Sequence, residues 1–494
     1  MHSTIVHMAQ DFVGSNNVPL LEPCGQFGTR AAGGKDSASA RYIFTRLTHL
    51  APLLFPPADG PILGHEVEDG QIVEPVFFAP ILPTILLNGA SGIGTGWSTR
   101  AFGYHPIEVC DNVMAHIEGR TLRPMHPWAA GFRGQIEVEH ARSADAGAAP
   151  VAMRIVTRGV AELTDDGILI SELPLGRWTE DYREWLQKQM AEGRAFWHSY
   201  TEHHTERSVR FALRCSPEQL RWLRAGGGDD GGEGGGRSGG SGGGGRGGGG
   251  SGGDGGDVHA HLVRVLELSR KESLTNTHAF DAGGELRHFA SPHELIELHA
   301  EARLAAYAHR RAYQLAVLHD ELAVLEARAR FIAMAVRGDL ALFRRAPRQE
   351  VVDELRAAGF APHLAPTAPA LRRDTLEGAA AAVVEPRAPF RADGGMAHDG
   401  DVDGDACDAA ADADDGGAAG SRGGAYEYLL RMPLISLTEE RAATLERQLA
   451  AKEREVQELS STSDVALWKH EIGQLRPALE RYVQDREDDG NARS

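Results

Sequence analysis

GQFGTRAAGGKDSASARYIFTRL, Gly25 to Leu47, gathers phosphate-handling side chains into one short stretch. Arg30, Lys35, Arg41 and Arg46 stand among glycines and small residues, and Asp36 is the one acid between them. Glycine lets a backbone approach a phosphate closely, while Lys and Arg supply charge for it. Ser37 and Ser39 add hydroxyl donors suited to phosphate oxygens. Tyr42 follows Arg41 directly. A tyrosine can act as a covalent nucleophile, but its ordinary pKa of about 10 keeps it protonated at neutral pH. A neighbouring guanidinium favours the phenoxide and stabilises charge developing on an attacked phosphate. The same residues also fit a buried structural tyrosine beside a surface arginine, and residue chemistry leaves the two readings open.

Bulk properties narrow the classes around this stretch. A length of 494 residues suggests about three domains, and 42% hydrophobic content is enough for real cores. No apolar run reaches the roughly 18 residues of a membrane span, and MHSTIVHMAQ lacks the basic-then-apolar order of a signal peptide. Cys24, Cys110, Cys215 and Cys407 lie far apart, which argues against a disulfide framework or a zinc cluster and for a reducing compartment. A formal net charge of −19 is not that of a simple basic DNA-binding protein. Much of the acidity, however, falls in the run Asp399 to Asp415 and in a glycine-rich stretch, so a local basic site is compatible with it.

Two low-complexity segments divide the chain. Ala225 to Asp257 is nearly all Gly with Ser, Asp and Arg and reads as a flexible insertion. Asp393 to Gly424, rich in Asp, Gly and Ala, reads as a disordered acidic loop. Its Asp399, Asp401, Asp403 and Gly404 mimic the start of a calcium loop, but the position of the bidentate Glu is Ala410. From Gly60 to about Arg224 the pattern is mostly strand-like, as in PVFFAPILPTILLNG and DGILISELPL, and HLVRVLELSRKESLT and HAFDAGGELRHF complete that region.

At Ser291 the character changes. Ser291 as a cap and Pro292 in the first turn open a long helix. Leu304, Ala308, Leu315, Leu318, Leu322, Leu325, Ala329, Ile332 and Val336 recur at steps of three and four, with Arg311 interrupting. A second helix carries Leu445, Leu449, Val456 and Leu459 at heptad positions, with Lys452 at the remaining one. Such a pair forms either an antiparallel coiled coil or an ordinary amphipathic hairpin.

Other motifs exclude more than they suggest. NGASGIGTGW, Asn88 to Trp97, lacks the Lys-Ser/Thr of a P-loop and has Trp97 where a dinucleotide fingerprint needs its last glycine. Within it Ile93 reads by residue type as a side chain buried in a glycine-rich turn. His203 and His204 in TEHHTER are adjacent, point in different directions and read as a solvated turn, not a metal site. Trp178 and Trp185 read as core or boundary residues.

MAQDFVGSNNVPLLEPCGQFGTRAAGGKDSASARYIFTRL and APLLFPP resemble the winged-helix region of eukaryotic-type DNA topoisomerase II, a type IIA family. The likeness runs on through VEPVFFAPILPTILLNGASGIGTGWST, ISELPLGRWTEDYREWL, EYLLRMPLISLTEER and LWKHEI. It implies the C-terminal part of a DNA breakage-reunion core, an α+β multidomain architecture. Residues 1–60 would be a partial winged-helix domain, 61–290 a β-rich tower, and 291–494 a long antiparallel coiled coil with a helical exit gate.

The resemblance assigns Tyr42 the attack on a DNA phosphate that forms a 5′-phosphotyrosyl bond, with Arg41 as its electrostatic partner. Arg30 and Lys35 match basic positions along the cleaved strand, and Ile93 matches the apolar wedge that enters a base step and bends the duplex. An unstacked step of that kind costs a few kcal/mol and allows wider contact. One departure stands out: Ala40 occupies a position where relatives place Pro. Mg²⁺ and ATP serve the family through a TOPRIM and an ATPase module that precede this region, so both are expected to bind outside this chain, which alone is expected to be inactive. Double-stranded DNA as substrate, a homodimer joined through the C-terminal gate, no membrane, and a nuclear location are the further implications. A non-catalytic DNA-binding or dimerisation protein derived by loss of the upstream modules is the alternative.

Overall fold

The computed structural model describes residues 1–94, 96–140, 152–224, 258–281, 283–338, 348–362, 426–432 and 439–491. The two low-complexity segments expected to be disordered, with the calcium-like Asp399 to Gly404 and Cys407, lie outside the described residues. Contacts divide the chain into two compact units. One comprises Met1–Pro57, Pro75–Ala305 and Leu467–Ser494, the other Ala58–Glu74 and Ala306–Ala466.

The first unit begins with the helix His2–Ala9, whose Val6 and Ala9 pack with Phe27 and Ile43 in a small core. Strands Leu21–Cys24 and Phe44–Leu47 pair antiparallel, with Cys24 opposite Phe44. A four-stranded antiparallel sheet follows, in the order Ser199–Glu202, Phe211–Arg214, Gly167–Glu172, Val160–Leu163. Its Ile168, Ile170, Phe211 and Leu213 bury against Tyr182 and Leu186 of the helix Thr179–Ala191, and Trp185 packs on the same core. Strands Ser269–Ser273, Ala152–Arg158 and Gln135–His140 form a second antiparallel sheet. Cys24 is exposed, whereas Cys110 and Cys215 are buried free thiols.

DGILISELPL contains its expected strand. PVFFAPILPTILLNG does not: Thr84–Asn88 is a helix with Leu86 and Leu87 buried, and no strand is assigned over residues 76–83. Pro80 and Pro83 explain the difference, because proline cannot donate to a sheet ladder but fits the start of a helix. Pro106–Ile117, Pro217–Arg224 and Val258–Val265 are further helices in a region read as mostly strand.

The long helix spans Pro292–Arg337. At its start Ser291 Oγ accepts from Glu294 N at 3.4 Å, a side-chain N-cap, and Glu294 Oε2 reaches back to accept from Ala290 N at 3.1 Å. In the second unit this helix meets Glu439–Ser461 running the other way. Lys452 Nζ lies 3.0 Å from Glu321 Oε2, and Arg311 Nε lies 2.8 Å from Asp464 Oδ1. Arg311 also donates to the Thr462 carbonyl at 3.2 Å. Both polar interruptions of the apolar pattern are therefore ion-paired between the segments. Farther along, Phe331 and Ala335 pack with Val351, Leu355, Phe360, Tyr426 and Leu429.

Candidate nucleic-acid interface

The loop between strands Leu21–Cys24 and Phe44–Leu47 is built largely by its own groups. Asp36 Oδ1 accepts from Thr29 N at 2.8 Å and its Oδ2 from Thr29 Oγ1 at 2.6 Å. Gln10 Nε2 donates to the Phe27 carbonyl at 2.9 Å. The glycines serve this packing. At Gly28 (φ +97°) a Cβ would stand 2.6 Å from Gly34 Cα, and at Gly33 (φ +64°) one would stand 2.3 Å from the Trp178 ring. Their close approaches are to the protein itself.

Arg30 is a correction to the sequence expectation. Only 4% exposed, it forks onto Glu172, a fully buried carboxylate at the end of strand Gly167–Glu172. Glu172 also accepts from Leu173 N at 2.9 Å and Arg133 N at 3.3 Å. A guanidinium so placed holds the loop on the sheet and is not presented to a DNA phosphate. Glu172 escaped the sequence reading, although a lone acid inside the apolar run ILISELPL is the signal that could have found it. Asp36 escaped it as well, having been read only as a counter-charge.

The outer end of the loop differs. Lys35 and Ser39 are exposed and Ser37 is half-buried. Ala40–Tyr42 forms a single 3₁₀ turn, closed by Tyr42 N donating to the Ser39 carbonyl at 2.9 Å. The turn faces Tyr42 outward at 67% exposure while Ile43 tucks into the small core at 9%. The Arg41 guanidinium carbon stands 4.9 Å from the centre of the Tyr42 ring. The buried-tyrosine reading is thereby excluded. Arg46 is paired with Glu22 across the two strands, and that carboxylate raises its pKa further.

Ile93 is 93% exposed on the hairpin Ala90–Gly94/Trp97–Ala101, directly opposite Ser98, so it is not the buried turn residue that its type suggested. Trp97, 57% exposed, leans on His278 with ring centres 5.2 Å apart. Asn276 Nδ2 donates to Ser98 Oγ at 2.9 Å and His278 N to Thr99 Oγ1 at 3.2 Å, fastening the hairpin base. In TEHHTER, His203 contacts Thr201 Oγ1 at 3.2 Å and His204 lies 3.6 Å from Glu202. Among the described residues no group of three or more His, Cys, Asp or Glu side chains is placed to hold a metal ion.

Comparison with known proteins identifies the family of the chain as a whole. The family model for the A-subunits of DNA gyrase and topoisomerase IV matches residues 1–224 and 252–473. The chain is 32% identical to DNA topoisomerase 2 of Arabidopsis thaliana over 97% of its own length and 28% of the plant protein. It is 34% identical to DNA topoisomerase 2 of Drosophila melanogaster over 73% of its length and 22% of the fly protein. Its fold matches the crystal structure of the Plasmodium falciparum topoisomerase II DNA-binding, cleavage and re-ligation domain with a TM-score of 0.70 and 28% identity, covering 99% of this chain and 56% of that one. The chain therefore spans under a third of the curated relatives it matches. With most of its length matched by the family model and its fold shared with a topoisomerase II cleavage domain, the chain belongs to the DNA gyrase/topoisomerase IV A-subunit family.

Proposed function

We propose that this chain carries the nucleophile half of a type IIA topoisomerase's DNA-cleaving centre. The observation that carries the reading is the exposed 3₁₀ turn presenting Tyr42, with Arg41 over its ring and Lys35 and Ser39 exposed nearby in the loop. In the proposed step the Tyr42 oxygen attacks a backbone phosphorus and the P–O3′ bond breaks. The phosphoryl group stays on tyrosine as a 5′-phosphotyrosyl ester. The tyrosine proton leaves, and the 3′ oxygen departs and ends as a hydroxyl; the reverse step reseals the strand. Arg41 stabilises charge on the attacked phosphate, while Lys35, Ser37 and Ser39 position the strand. Arg30 acts indirectly, by holding the loop on Glu172.

Ile93 is proposed as the wedge that enters a base step and bends the cut duplex. A partial winged helix around Tyr42, a tower in the sheets, and a coiled coil ending in a helical exit gate complete the assignment. The working form is a nuclear homodimer. None of the helices among the described residues is long and apolar enough to cross a membrane. Among the described residues no group of three or more His, Cys, Asp or Glu side chains is placed to hold Mg²⁺, and no step is routed through a metal or a nucleotide. Both are assigned to other modules of the full-length family.

The test is trapping of a covalent adduct on a nicked duplex when a TOPRIM-bearing polypeptide is supplied. Tyr42→Phe should abolish the adduct, and an adduct that persists in this variant would remove Tyr42 as nucleophile. These 494 residues alone should leave supercoiled DNA unchanged. ATP-dependent relaxation by them would overturn the half-site reading.

A further inference from the structure

Inward of the nucleophile loop, a cleft in the first unit is lined by Asp11, Arg30, Arg133, Arg207, Ser208 and Arg486. Its charges are unbalanced. Glu172 serves Arg30, and Asp11 is shared by two arginines. Arg207 Nη2 donates to Asp11 Oδ2 at 3.1 Å, and Arg486 Nη1 stands 3.6 Å from the same oxygen. Arg486 also donates to the Asp11 backbone carbonyl. Arg30, Arg207 and Arg486 thus face two carboxylates, Glu172 and Asp11, one negative charge short.

The hydroxyl groups add a second observation. Thr205 Oγ1 accepts from Arg207 N at 3.3 Å and Ser208 N at 3.0 Å, which fills its two lone pairs. With both acceptances made, donation from Thr205 satisfies its 2.8 Å contact with Ser208 Oγ. That leaves the Ser208 proton free to donate from the cleft wall. One helical turn before Arg486, the buried Tyr482 hydroxyl has no hydrogen-bond partner, and burial raises its pKa, keeping it a neutral donor.

The geometry points to a binding site for a small phosphoryl anion, held by Arg207, Arg486 and the Ser208 hydroxyl. Guanidinium forks match phosphoryl oxygens in spacing and charge. Asp11 holds the two arginines in place when no anion is bound, and the ligand supplies the missing negative charge. Free phosphate or diphosphate and the DNA backbone share this chemistry; a cleft that runs in to the buried Arg30 favours the small anion.

The experiment is thermal unfolding of the whole chain titrated with sodium diphosphate, against sodium chloride at equal ionic strength. A saturable rise in Tm with diphosphate alone is expected, because a ligand that binds only the folded state stabilises it by mass action. Arg207→Gln should raise the half-saturating concentration at least tenfold and Ser208→Ala about threefold. Arg221→Gln, at an exposed side chain outside the cleft, should leave it unchanged. An equal rise in chloride, or native titration by Arg207→Gln, overturns the site. Protection by a short duplex with none by diphosphate also overturns it and assigns the charge to the DNA backbone. Should Arg207→Gln fail to fold, Ser208→Ala decides, since an unmoved midpoint there is equally fatal.

Discussion

Arg30 and Arg41 belong to one loop and have opposite fates. The first is buried on Glu172, the second lies over the exposed Tyr42 ring. Removing one partner of a buried ion pair leaves the other charge uncompensated, at about 3–5 kcal/mol. Arg30→Met should therefore lower folding stability by that order, measured by urea unfolding. Arg41→Ala removes an exposed cation–π contact and should cost under about 1 kcal/mol, while it sharply reduces adduct formation. Equal destabilisation by both would contradict the division of labour. Ala40 offers a test in the other direction. Ser39 already sits at φ −58° and ψ 137°, the extended conformation that a residue before proline adopts. Ala40→Pro should then add about 0.4–1 kcal/mol to stability by restricting the unfolded chain. A loss of stability in the same unfolding assay would show that the turn does not tolerate the ring.

At the scale of elements, what the sequence disclosed depended on whether the cause was local. The helix from Pro292 was legible because its cap, its proline and its apolar steps are all near neighbours in sequence. The helix Thr84–Asn88 was misread because periodicity cannot tell a short buried helix from a strand, and the prolines that decide it were counted only as breaks. Tyr42 and Arg41 were legible as a pair, but the Arg30–Glu172 fork joins residues distant in sequence and could not be seen. Arg311 and Lys452 looked like flaws in an apolar stripe, yet each finds an acid across the hairpin. Polar residues at such positions specify register. Lys452→Glu would place a carboxylate beside Glu321 and Glu455 and should lower the hairpin's melting stability by about 1 kcal/mol, read by circular dichroism. For the Ile93 hairpin, Ile93→Ser should reduce DNA bending measured by end-to-end energy transfer while leaving the fold intact, since the side chain is 93% exposed. Unchanged bending would remove Ile93 as the wedge.

Over the whole molecule, acid stability should report one half-buried imidazole. His299 packs edge-on to Trp468 of the first unit, 6.2 Å between ring centres, and its Nε2 lies 3.5 Å from the Ile81 carbonyl. Burial pushes its pKa down to about 4 from an ordinary 6.5. Above pH 6.5 both folded and unfolded chains hold it neutral, and its full contribution is present. As pH falls below that value the unfolded chain takes up a proton that the folded one refuses, so stability declines toward pH 4. The loss should be roughly 1.5 kcal/mol between pH 6.5 and 5, followed through tryptophan fluorescence during urea unfolding. His299→Gln should flatten that interval, and a slope the same in both proteins would place the acid sensitivity elsewhere.

The pairing of Cys24 with Phe44 has a practical corollary. Cys24 is the one exposed thiol among the described residues, while burial raises Cys110 to about 12 and Cys215 to about 11, far from the reactive thiolate. Once Cys407 is replaced by serine, a maleimide dye should attach at Cys24 alone. The chain thus carries its own labelling handle on the strand beside Tyr42, where a fluorophore would report the arrival of a duplex as it happens.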